Sequence, residues 1–207
     1  MALCNSLLSE ENFLCSICLD VFTEPVTTSC GHNFLDVTLD PDTAHPSLIL
    51  SEDRKQVRYG IREHNLPDNP KRFSKGASVL GKDGFSGRLY YEVQVKDKTK
   101  WDLGVAKESI NRKNYIFLGS ENGYWTIWLR NANEYAANDD RAVNFLLREK
   151  PQKVGTFVDY EEGQVSFYDV EARCQIYSFT GCTFTEKIYP YFCPCLNDGG
   201  KINTLPL

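Results

Sequence analysis

No run of about 18 apolar residues occurs in this chain, so no stretch reads as a membrane-spanning helix. Basic charge is also short, with 23 Lys and Arg against 28 Asp and Glu, a net charge of −5. Phosphate contact needs a cationic surface, and this deficit argues against nucleic acid as a partner. Heptad repeats are missing, which excludes a coiled-coil dimer. No Gly-x-Ser-x-Gly elbow is present to carry a Ser-His-Asp triad. Glu161 and Glu162 are adjacent and face apart, so they do not make a catalytic carboxylate pair. His45 and His64 stand alone in polar loops and read as bystanders. The opening stretch MALCNSLLSEENFLC lacks the basic and apolar regions of a signal peptide. The expectation is a cytoplasmic chain whose cysteines are thiols or metal ligands.

What is plentiful is aromatic side chains, 11 Tyr and 12 Phe, set in short runs between turn residues. That pattern favours many short strands packed as an all-β sandwich. Expected strands include Leu48–Leu50, Tyr90–Val95, Trp101–Val105, Ile176–Phe179 and Ile188–Phe192. A hairpin is expected from Val154–Asp159 and Val165–Val170 across Glu161-Glu162-Gly163. The Pro-rich stretch Asn65–Phe73 reads as a loop. Lys96–Lys100 reads as a solvated turn. Glu108–Leu118 and Asn131–Asn144 read as polar loops, the latter because it is poor in β-branched residues.

The most informative stretch is Gly123–Arg130, GYWTIWLR. With the period of a strand, Trp125, Ile127 and Leu129 share one wholly apolar face, and Tyr124, Thr126, Trp128 and Arg130 share the other. One reading buries both faces in a two-sheet core. The other leaves Trp128 and Arg130 exposed as anchors of a recognition surface. Cys193 and Cys195 share one strand face and read as thiols packed like small apolar groups, as do Cys174 and Cys182.

Near the N-terminus, Cys15-Ser-Ile-Cys18 is followed by Cys30-Gly-His32, a spacing that suits zinc. The stretch CSICLDVFTEPVTTSCGHNF resembles the opening of a RING finger of the tripartite-motif (TRIM) family. The resemblance implies that Cys15, Cys18, Cys30 and His32 are metal ligands, and that Ile17 and Pro25 dock a ubiquitin-conjugating enzyme. A RING has eight ligands in a crossed arrangement. After Phe34 the expected Cys-x-x-Cys is missing, and the next cysteine is Cys174. Each of the two crossed sites is therefore half built. Three outcomes stand open for residues 1–35: a metal-free remnant, one zinc ion held by all four ligands, or sites completed by another chain.

Residues 36–207 look like a PRY-SPRY domain. Its three marker segments appear as Leu39-Asp40-Pro41, Tyr91-Glu92-Val93-Gln94 and Val158-Asp159-Tyr160-Glu161. WDLGV, GYWTIWLR, VSFY and NDGGK strengthen the match. Tyr91 stands where the marker has Trp, and its hydroxyl needs a partner. The resemblance implies a bent sandwich of two antiparallel sheets that binds a protein partner through loops at one end. On matched positions the binding surface would use Glu108, Asn114, Trp128, Arg130, Tyr135 and Leu196, with Arg130 and Glu108 setting charge complementarity. The leading expectation is thus a protein-recognition module with an incomplete RING. The alternatives are a TRIM-type ubiquitin-protein ligase acting in innate immunity, or a butyrophilin-like sensor of phosphorylated small ligands that would rely on Arg112, Lys113 and Arg130.

Overall fold

A computed structural model describes residues 32–34, 36–67, 69–195 and 202–205. Among them lie fourteen strands, one 3-10 turn at Ser120–Asn122 and no α-helix. No helix among these residues is long and apolar enough to cross a membrane. The strands are β1 (His32–Phe34), β2 (Leu48–Leu50), β3 (Gln56–Tyr59), β4 (Val79–Leu80), β5 (Arg88–Gln94), β6 (Trp101–Lys107) and β7 (Tyr124–Arg130). They continue with β8 (Glu134–Asn138), β9 (Ala142–Phe145), β10 (Lys153–Asp159), β11 (Gln164–Asp169), β12 (Cys174–Phe179), β13 (Ile188–Cys193) and β14 (Ile202–Leu205).

They form two sheets. One runs β12-β11-β10-β5-β14-β3-β2, with β1 also on β5, and the other runs β4-β13-β6-β7-β8-β9. Every pairing is antiparallel except β1 with β5, where His32 meets Arg88 and Phe34 meets Tyr90 in parallel register. The bent antiparallel sandwich expected from the sequence is therefore present, and its first sheet takes in a strand from the end of the zinc-finger-like segment.

The core is where alternation placed it. Trp125, Ile127 and Leu129 point inward with Trp101, Leu103, Val105 and Phe192, and meet Val93, Val158 and Phe167 of the first sheet. Tyr91, the substitute for the marker Trp, is buried and donates its hydroxyl hydrogen to the Gly104 carbonyl at 2.8 Å. The partner this hydroxyl required is thus a backbone carbonyl of the opposite sheet.

Two expected loops are structured differently. Asn131–Asn144 holds β8 and most of β9, paired through Trp128 with Ala136 and Ala136 with Asn144. Glu-Tyr-Ala-Ala-Asn has weak strand propensity, but pairing to β7 and inward burial of Tyr135 and Ala137 override it. Lys98, placed by the sequence in a solvated turn, is 1% exposed and donates from Nζ to the Pro194 carbonyl at 2.8 Å. Cys174, expected to be a free thiol, is disulfide-bonded. Cys182 is a free thiol whose acidity falls, its pKa pushed up to about 11 first by burial and then by Asp139.

Candidate recognition surface

The outward face of β7 is divided along its length. Tyr124 and Thr126 are buried. Tyr124 lies in a second apolar cluster with Phe73, Leu80, Ile110 and Tyr191, and meets the Tyr191 ring edge-on at 5.4 Å. Toward the end of the strand that cover runs out, and Trp128 and Arg130 are half-buried. One half of this face is thus core, and the other half is partly open to solvent.

Arg130 is clamped. Its Nη2 donates to both carboxylate oxygens of Asp102, at 2.8 and 3.0 Å. Its Nη1 donates to the carbonyls of Trp101 and Leu129, at 2.9 and 2.8 Å. The guanidinium lies over the Trp128 indole, 5.3 Å from the ring centroid, within cation–π range. Asp102 is the register partner of Trp128 on β6, which puts both on one face. Burial pushes the Asp102 carboxyl above the usual carboxylate range, against the pull of Arg130. For Arg130, burial works downward, but Asp102 prevails and the net shift is upward.

Beside this pair lie two thiols. Cys193 Sγ is 3.8 Å from Cys195 Sγ, and Cys195 donates to Asp102 Oδ2 at 3.3 Å. The Cys195 thiol is driven far above its ordinary range, first by its hydrogen bond with Cys193 and then by burial. Sequence reasoning placed Arg130 here but missed Asp102. The one available signal was a carboxylate within the otherwise apolar WDLGV.

The other expected site residues do not gather at Arg130. Tyr135 is a correction: it is 5% exposed, points inward from β8 and stacks on Phe145 at 6.1 Å, so it offers no surface to a partner. Glu108 is exposed but lies just past the far end of β6, six residues from Asp102, which is about 20 Å along a strand. There its carboxylate accepts from the Tyr189 hydroxyl at 3.4 Å. It therefore shares no local charge cluster with Arg130. Asn114 is exposed in a loop held by Ser74, whose Oγ donates to the Lys113 carbonyl at 2.8 Å. That loop reaches the Tyr124 end of β7. It also carries Tyr115 and Phe117, each 76% exposed, a second apolar patch that the sequence did not single out. Leu196, Cys15, Cys18, Cys30, Ile17, Pro25 and the NDGG turn lie outside the described residues, and only the backbone of His32 lies within them.

The chain matches the SPRY domain family over residues 88–206, the SPRY-associated domain over 37–85 and the RING-type zinc-finger over 15–43. Nuclear factor 7, brain, of Xenopus laevis is 48% identical over 98% of this chain and 34% of its own length. E3 ubiquitin-protein ligase TRIM69 of Rattus norvegicus is 46% identical over 83% of this chain and 34% of its own length. The chain thus spans about a third of the length of these curated relatives. A solved structure described as the TRIM65 PSpry domain superposes with a TM-score of 0.71 at 21% identity, covering 84% of this chain and 91% of that one. It shows the same fold. The chain belongs to the SPRY-domain family, as a tripartite-motif member in which a RING-like segment is joined to a PRY-SPRY domain.

Proposed function

We propose that this chain is a protein-recognition module that holds a protein partner on the outward face of the second sheet, around Trp128 and Arg130. The PRY-SPRY domain makes a protein-interaction module the general expectation, and the clamped indole makes it specific. Trp128 is partly open to solvent, and Arg130, fixed by four hydrogen bonds to Asp102, Trp101 and Leu129, holds one side of its ring. An aromatic fixed before binding loses little freedom on association, which is what makes tryptophan an effective hot spot. The partner would present an apolar group to the indole.

The test is affinity capture from cell extract on the parent chain and on Trp128→Ala, read by quantitative mass spectrometry. The variant should lose its main partner, with at least about 2 kcal/mol, or about 30-fold, lost in affinity once that partner is purified. Equal capture would remove Trp128 from the site. Loss on Tyr115→Ala or Phe117→Ala instead would move the site to the far loop. The phosphorylated-ligand alternative draws no support from the geometry. Arg112 Nη2 donates to the Glu108 carbonyl and Lys113 Nζ to the Asn69 carbonyl, far from Arg130, whose charge is already paired.

A second reading rests on the zinc-finger match at residues 15–43. Cys15, Cys18, Cys30 and His32 are three thiols and an imidazole, a donor set that suits one tetrahedral zinc ion. Zinc bound there would fold the segment that leads into β1, whose His32 backbone already pairs with Arg88 of β5. Ile17 and Pro25 would then be available to a ubiquitin-conjugating enzyme, and the chain would act as a ubiquitin-protein ligase. Half of a RING's ligands do not build both of its sites, so we expect no transfer. With activating enzyme, conjugating enzyme, ubiquitin and ATP, the full chain should form no more polyubiquitin than Cys15→Ser does. A clear excess over that variant would restore the ligase reading.

A further inference from the structure

Two thiols and a carboxylate meet beside the proposed recognition surface, on the same face of the second sheet, in an arrangement that partner binding does not require. Cys193 closes β13 and is buried; Cys195 follows two residues later and is half-buried. One ligand atom from each of Asp102, Cys193 and Cys195 lies within 4.8 Å of the others. The two sulfurs are 3.8 Å apart, and Cys195 Sγ is 3.3 Å from Asp102 Oδ2. With Zn–S bonds of about 2.3 Å and Zn–O bonds of about 2.1 Å, the edges of a tetrahedron are about 3.8 Å between sulfurs and about 3.6 Å between sulfur and oxygen. The sulfur–sulfur separation matches its edge, and the Cys195–Asp102 separation lies a little inside the other.

We infer that Asp102, Cys193 and Cys195 form a binding site for a thiophilic divalent cation of the zinc class, with a fourth position left for water or a ligand on the half-exposed Cys195 side. It shares no residue with Cys15, Cys18, Cys30 and His32. Charge balance favours it. Without metal, the site holds two neutral thiols and the Asp102–Arg130 ion pair, a net charge of zero. Binding one divalent cation releases both thiol protons to solvent and forms two metal–thiolate bonds. The cation, two thiolates, carboxylate and guanidinium again sum to zero, so no uncompensated charge is buried. Arg130 keeps Asp102 Oδ1 while Oδ2 turns to the metal, so the ion would sit beside the Trp128 clamp on the same face of the sheet.

The test uses Cd²⁺ as the probe, on the reduced full-length chain. Cd²⁺ titration is followed by the cadmium–thiolate charge-transfer absorption and by native mass spectrometry. The parent should take up one more tightly held Cd²⁺ than either Cys193→Ser or Cys195→Ser, each of which should weaken that ion at least about 100-fold, since even outer-sphere losses cost about 10–100-fold. Uptake of that ion should release two protons. Cys182→Ser should behave as the parent, and circular dichroism checks that each variant is folded. Ser at 195 keeps a hydroxyl for Asp102, so folding should survive there. Equal Cd²⁺ uptake by the parent and both folded variants would assign all binding to other thiols of the chain and overturn the site. Partner capture plays no part in this readout, so the recognition reading stands or falls separately.

Discussion

Replacing Arg130 by alanine is expected to destabilise the fold by about 3 kcal/mol at neutral pH. Breaking a buried pair by removing one partner costs about 3–5 kcal/mol, and the 36% exposure of the Arg130 side chain places this case at the lower end. The loss arises from what remains: Asp102, whose side chain is 4% exposed, with no cation beside it. The expected pH dependence identifies that cause. Burial already holds the Asp102 carboxyl above its unfolded value, and Arg130 is the main force pulling it back. In Arg130→Ala the upward shift grows, and the native state binds the Asp102 proton more tightly than the unfolded chain does. The variant's deficit is therefore full above the folded pKa of Asp102 and shrinks as pH falls through it. Urea unfolding of parent and variant at neutral and at acidic pH measures this. A deficit that stays constant with pH would mean the loss is one of packing against Trp128 and not of an unpaired charge.

Gly104→Ala should cost about 3–5 kcal/mol, from backbone strain and overpacking of about 1–3 kcal/mol each, with little room to relax. Gly104 has φ of 151°, a region that residues with a Cβ rarely adopt. A methyl there would run into the Trp125 carbonyl oxygen of β7 and come within 2.8 Å of Thr126 Cα. These are backbone atoms of a paired strand and have no rotamer by which to move aside. Displacing Gly104 would also disturb its carbonyl, which accepts from Tyr91. At about 2–4 °C per kcal/mol for a domain of this size, the midpoint should fall by about 10 °C. Gly87→Ala is the control, because nothing lies within 4 Å of its would-be Cβ. Similar melting of the two variants would mean that β6 and β7 are not so closely apposed.

The strands with clear alternation or an apolar run were legible residue by residue. Trp125, Ile127 and Leu129 reached the core, and the β10–β11 hairpin turned at Glu161-Glu162-Gly163 as expected. β8 and β9 were not legible, because Glu134–Asn138 is a strand by virtue of its neighbour and not of its composition. The same error misplaced Tyr135, which looked like a loop residue and is a core residue because β8 turns it inward. The position of Trp128 and Arg130 on the partly exposed face was legible from alternation. Glu108 and Asn114 were placed beside them by family correspondence, yet they lie toward the other end of the strands.

The amino-acid sequence by itself determined the all-β class, the inner face of β7, the position of Trp128 and Arg130 on its other face, and the Cys-x-x-Cys and Cys-x-His spacing of the RING-like segment. Each of these follows from local periodicity or from spacing along the chain. The tertiary structure decided which half of the outer face is covered, and that Arg130 is bound to a carboxylate 28 residues away in sequence. It also brought Cys195 against Asp102 across 93 residues. These contacts depend on strand order and register, which are set by how two sheets pack over a shared core, and no local pattern encodes which distant strand becomes the neighbour.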